Sequence, residues 1–118
     1  MDYTTFEKYP IQILGIDESY NDEINEILSF VTDDIAYTGD ASDLDDILPY
    51  FVFYKFCEKK RSEVNIQTGE TTQLKEFTEP SLLQQINAWN IGVKKLDALC
   101  VANETEANEI YLSKISMI

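Results

Sequence analysis

The stretch LLQQINAWNIGVKKLDALC, residues 82–100, sets the class of fold. Leu82, Ile86, Trp89, Val93, Leu96 and Cys100 recur in steps of four and three, the narrow apolar seam of a helix that packs on another helix. Thr78 with Glu79-Pro80 supplies an opening turn, and Asn103-Glu104-Thr105-Glu106 ends or interrupts the helix. Ile91 lies on the far side of the seam, beside Lys94 and Gln84, where an apolar residue faces solvent or a partner.

Working back toward the N-terminus, Tyr20, Ile24, Ile27, Leu28, Val31 and Ile35 form a second helical stripe, with Asp22, Glu26, Ser29 and Asp33 opposite it. Ser19-x-x-Asp22 resembles a capping box at its start. Tyr37 to Asp43 carries turn chemistry, and Ser42-x-x-Asp45 repeats the capping pattern before Leu44, Ile47 and Leu48. Pro49-Tyr-Phe-Val-Phe-Tyr-Lys-Phe-Cys57 is apolar on nearly every face, which fits a buried helix or a buried strand. Helix is favoured, because Glu58-Lys59-Lys60-Arg61 continues it with helix formers and sets cations at a C-terminus. That cationic cluster can equally pair with the chain's own acidic face or meet an acidic partner.

Val64-Asn-Ile66-Gln-Thr68-Gly69-Glu70-Thr-Thr-Gln-Leu74 alternates apolar and polar residues around a glycine, the pattern of a β-hairpin over 64–74. Pro10 interrupts the apolar opening stretch, so residues 1–16 read as an extended arm on the core. The end of the chain, with Ile110, Tyr111, Leu112, Ile115 and Met117, is apolar to its last residues; such a terminus docks on its own domain or on a neighbour. The expectation is one mainly α domain over 1–118: a helical bundle over 17–102 with one β-hairpin, and an extended docking tail over 103–118.

Composition narrows the function. The 118 residues suffice for a core without metal or disulfide, and 44% hydrophobic content with seven Tyr, six Phe and one Trp argues for a folded chain. Cys57 and Cys100 sit in apolar helical patterns and read as reduced core residues. No apolar run reaches membrane-spanning length and the first residues lack a signal-peptide pattern, so the expected place of synthesis is a cytoplasm.

The formal charge of -13 is lopsided. Residues 1–48 hold 13 acidic groups and one lysine, whereas residues 49–118 are close to neutral with 9 acidic and 8 basic groups. Such a field disfavours nucleic acid and anionic membrane and favours basic partners. Without histidine, Ser-His and Cys-His nucleophiles and His metal sites are excluded, and Gly15, Gly39, Gly69 and Gly92 are too scattered for a phosphate loop. An EF-hand frame starting at Asp34 fails at Ala36 and ends on Asp45 instead of a glutamate. No catalytic, cofactor or metal residues emerge. An enzyme is therefore not expected.

The segments Leu48-Pro49-Tyr50-Phe51-Val52-Phe53-Tyr54, Asn65-Ile66-Gln67-Thr68-Gly69 and Glu79-Pro80-Ser81-Leu82, in this order, resemble head-to-tail connector proteins of tailed bacteriophages, also called adaptor or head-completion proteins. The likeness spans roughly residues 17 to 102. It implies a virion protein, made in the bacterial host, that forms a ring oligomer between the portal and the tail, extends the DNA channel, and inserts its C-terminal tail into a neighbouring ring. Val64, Ile66, Thr68, Gly69, Ile91, Ile110, Tyr111, Leu112, Ile115 and Met117 are then the expected protein contacts. Carboxylates of the first half, Asp22, Glu26, Asp33, Asp40, Asp43 and Asp46, would let DNA slide if they lined the channel. A competing expectation, from charge alone, is an acidic inhibitor or immunity protein that blocks a basic surface by mimicking nucleic acid.

Overall fold

The computed structural model describes residues 1–8, 16–66 and 82–116. Among them the chain is mainly helical and has no strand. Three α-helices carry the fold: α1 (Asn21–Ile35), α2 (Leu48–Ile66) and α3 (Leu82–Asn103). Helices α1 and α3 each pack on α2, with little contact between them. Glu23 of α1 meets Lys59 and Lys60 of α2, and Gln85 of α3 meets Arg61 of α2, so neighbouring helices run antiparallel.

The all-round apolar face of α2 is explained by this central place. Phe51, Val52, Phe53, Phe56 and Cys57 are buried, and Pro49 fits the first turn, where its missing N–H has no intrahelical partner to lose. Ile24, Ile27, Val31 and Ile35 bury the expected stripe of α1 against it, while Asp22 and Glu23 in the first turn suit the helix dipole. On α3 the seam is rotated from its expected position: Trp89, Val93, Leu96 and Cys100 are buried, but Leu82 is exposed and Gln85, Ala88 and Gly92 face α2. A Cβ built on Gly92 would lie 3.0 Å from the Phe51 ring, so the absent side chain lets the two helices approach.

Several expectations are corrected. Val64 and Ile66, assigned to the first hairpin strand, belong to the last turn of α2; alternation over three residues is too short to outweigh the helix that reaches them. The remainder of that hairpin lies outside the described residues. The same continuation removes the C-terminal role of Lys59-Lys60-Arg61, because the helix runs five residues further. The arm is helical where it is described: Tyr3–Lys8 is a 3-10 turn whose Phe6 is buried edge-on against Phe53, with ring centroids 5.7 Å apart.

The capping residues fall two positions before those expected. Asp17 accepts from Ser19 N at 2.9 Å and opens a 3-10 turn at Glu18–Tyr20 that leads into α1; Asp40 accepts from Ser42 N at 3.0 Å and opens Ala41–Leu44. Asp2 with Thr4, and Asn108 with Ile110, repeat the device, so each of these short turns begins on an Asp or Asn side chain. At the other end of α3, Glu104 is left-handed (φ 52°) and Thr105 N donates to Cys100 O at 3.0 Å, the six-to-one bond of a Schellman ending.

The C-terminal segment docks on its own domain. Thr38 N donates to Glu106 O at 3.0 Å and Asn108 N to Ile35 O at 2.7 Å, binding it to the end of α1. Trp89 Nε1 donates to Ser113 O at 2.9 Å, and Asn90 exchanges two bonds with Ile115, holding it along α3. Tyr111 is fully buried between these attachments.

Candidate functional site

Among the described residues, the surfaces open to recognition include the outward faces of α1 and α3 and the groove beside the C-terminal strap. On α1, Asp22, Glu26 and Asp33 are exposed on one face with Phe30, whose ring is 57% exposed. The loop carboxylates serve other purposes. Asp40 caps its turn, and Asp43 accepts from Tyr37 OH at 3.0 Å and from Asn103 Nδ2 at 3.3 Å, tying the loop to the end of α3; Asp46 is exposed. Of the six acidic residues, Asp22, Glu26 and Asp33 share one helix face, while Asp40 and Asp43 are engaged by their own loop and by Asn103.

Among the described residues, cations reach the acidic helix at Glu23. Glu23 pairs with Lys59 at 3.1 Å and with Lys60 at 2.6 Å, the latter nearly buried with its ammonium over the Tyr20 and Phe56 rings. Arg61 Nε donates to Gln85 Oε1 at 2.9 Å, and Gln85 Nε2 donates to Tyr54 O at 3.2 Å. The cationic cluster thus seams the three helices together. Pairing of this cluster with the acidic helix is one of the readings the sequence allows, but nothing in local spacing selects Glu23 as the partner or joins Arg61 to Gln85.

The strap has its own polar anchor. Tyr111 OH donates to Asp34 Oδ2 at 2.8 Å, while its ring stands edge-on to Phe51 and against Trp89. Burial first, and then the hydrogen bond to the Asp34 carboxylate, pushes the phenol's pKa well above its ordinary value. Burial also raises Tyr54, reinforced by Glu58, and Tyr50, reinforced by Asp46. At the exposed caps the shift reverses. The Ser19 hydroxyl and N–H lower Asp17, and the Ser42 N–H and hydroxyl lower Asp40.

Comparison with family models, curated proteins and solved structures finds no match to this chain. Its surfaces must be read on their own chemistry. Tyr111, counted among the partner contacts, is a core residue whose polar end is engaged; Leu112 and Ile115 are half-buried. Ile110 is 63% exposed and Ile91 lies on the outer face of α3, so both are placed where a partner can touch them. Thr68, Gly69 and Met117 lie outside the described residues.

Beside the strap, Tyr54, Lys55, Glu58, Trp89, Ile110 and Lys114 line an open groove of about 520 Å³. A second depression of about 360 Å³ on α3 is bounded by Asn87, Asn90, Ile91, Lys94 and Lys114. Mixed charges and aromatic surface suit protein contact better than a small anionic ligand. Among the described residues no three Cys, Asp or Glu side chains gather as a metal-binding set, and no helix is long and apolar enough to cross a membrane.

Proposed function

We propose that this chain is a structural assembly protein, a head-to-tail connector that joins a ring between the portal and the tail of a bacteriophage virion. The observation that supports this reading is the contrast between a closed core and exposed large apolar residues. Phe30, Leu83 and Val101 are exposed, whereas the other aromatic residues among those described are buried or half-buried, and exposed apolar residues on a helix face suit contact with other protein. The strap is occupied within its own domain, so the helix faces and Ile110 become the joints. Insertion of the strap's buried part into a neighbouring ring would require breaking the Tyr111 and Asn90 attachments first.

The test is assembly of the purified chain with the portal protein encoded in the same genome, followed by light scattering and electron microscopy. A ring-shaped complex coaxial with the portal is the expected result. Absence of any complex at micromolar concentrations of both proteins would overturn the proposal. The exposed row Asp22, Glu26 and Asp33, with no ion pair on any of the three among the described residues, favours one second reading, an acidic blocker of a basic enzyme. Stoichiometric, salt-sensitive inhibition of a nuclease encoded beside it, without ring formation, would select that alternative.

A further inference from the structure

We infer that the outward face of α3 receives the outward face of α1 from a second copy of this chain, so that copies join head to tail. This rests on the assembly reading above and specifies its joint. On α3, Leu83, Asn87, Ile91, Lys94, Ala98 and Val101 follow one another in steps of four and three, and all six are exposed. They lie on one face of the helix, turned away from the buried seam. On α1 the corresponding outward row is Asp22, Glu26, Phe30 and Asp33, likewise exposed and within one face.

The two rows differ in the manner of partners. The α3 row is mostly aliphatic with Asn87 and Lys94 inside it, and Lys114 of the strap stands beside Ile91 and Lys94 in the same depression. Neither lysine has an ion pair among the described residues. Asp97 on one flank of the row is outnumbered by Lys94, Lys95 and Lys114. The α1 row offers three carboxylates around a single exposed aromatic ring. Docking one upon the other places Phe30 on the aliphatic surface and carboxylates opposite lysines, whereas α1 on α1 sets like charges together.

Helices α1 and α3 make little contact with each other and both rows are exposed, so the two faces do not meet within a chain. A contact between unlike faces of identical chains is heterologous and continues from copy to copy, closing into a ring or extending as a filament. Helix α1 is about 22 Å long, so one such joint is smaller than a standard stable interface and holds weakly until many close together. In this arrangement the α1 carboxylates lie at the joint between subunits instead of the lumen.

The test uses the full chain in sedimentation velocity over roughly 10 μM to 1 mM, the range suited to a weak joint. Wild type gains mass with concentration. Lys94→Glu/Lys114→Glu and, separately, Asp22→Lys/Glu26→Lys each weaken association about tenfold or more at unchanged far-UV circular dichroism. Their equimolar mixture regains association, since every joint between unlike variants again sets opposite charges together. Phe30→Ser weakens association without a change of charge. A wild type that stays monomeric, or a mixture no more associated than its components, overturns the inference. Rings on the portal that persist in both charge-reversed variants would overturn this joint and leave the connector reading intact; association that obeys the swap without portal binding would do the reverse.

Discussion

Helices α1 and α3 meet α2 in similar ways and face solvent in opposite ways. Each lays an apolar stripe on the central helix, yet α1 turns carboxylates and one phenylalanine outward, while α3 turns aliphatics and a lysine outward. The inward likeness is what folding demands of any amphipathic helix. The outward difference is not needed for folding, and it is where recognition is expected. Between the two lies the strap, whose Tyr111 touches all three helices: its hydroxyl reaches Asp34 of α1 and its ring meets Phe51 of α2 and Trp89 of α3. The strap fixes how the two outward faces stand relative to each other, which decides whether head-to-tail joints close.

Breaking that tie has the largest expected effect. Tyr111→Ala removes a fully buried ring and the bond to Asp34, and should lower stability by about 3–5 kcal/mol in urea titration. Gly92→Ala tests the contact of α2 with α3. The new methyl meets Phe51, which Trp89 and Tyr111 hold from two sides, and overpacking of about 1–3 kcal/mol exceeds the roughly 1 kcal/mol that alanine gains in helix propensity. A net loss of up to about 2 kcal/mol is expected, read from the same titration.

Much of the comparison was legible in the sequence. The stripe of α1 and the helical seam over 82–100 follow from period alone, and the carboxylates of α1 face solvent as their spacing requires; the helix start expected at Thr78 lies outside the described residues. The seam of α3 was rotated in the reading because Leu82 is apolar and Gln85 is polar. Yet Gln85 is buried where Arg61 and the Tyr54 carbonyl satisfy it, and Leu82 is left outside. Periodicity counts hydrophobic residues and is blind to a polar side chain whose partners come from another helix. The apolar tail was legible as a docking element, but its place was not, because it is set by hydrogen bonds donated by Trp89 and Asn90 and accepted by Asp34, residues distant in sequence. The alternation at Val64–Ile66 misled for the opposite reason: a short pattern of period two lies at the end of a long helix.

Smaller effects sharpen the same contrast. Tyr111→Phe keeps the ring and loses the bond to Asp34, at a cost of about 1 kcal/mol, since Asp34 is only half-buried and can turn to water. The native phenol's pKa is raised above that of the unfolded chain, so its contribution is fully present below about pH 10 and is lost as pH rises beyond that value. Alkaline unfolding should therefore be steeper in wild type than in Tyr111→Phe, with a residual slope from Tyr50 and Tyr54. Glu104→Gly relieves the left-handed ending of α3 and should raise stability by about 0.5–1 kcal/mol, visible as an upward shift of the thermal midpoint.

The most direct test of unlike outward faces is chemical cross-linking of cysteines placed on them. Ser29→Cys and Asn87→Cys put thiols on the exposed faces of α1 and α3 and leave Phe30 and Ile91 in the joint, while Cys57 and Cys100 are buried away from reagent. With a short bismaleimide, a head-to-tail joint predicts little product from either single variant, dimers from their mixture, and a ladder beyond dimer from the double variant. Dimers from a single variant as abundant as those from the mixture, or a double variant that stops at dimer, would contradict it.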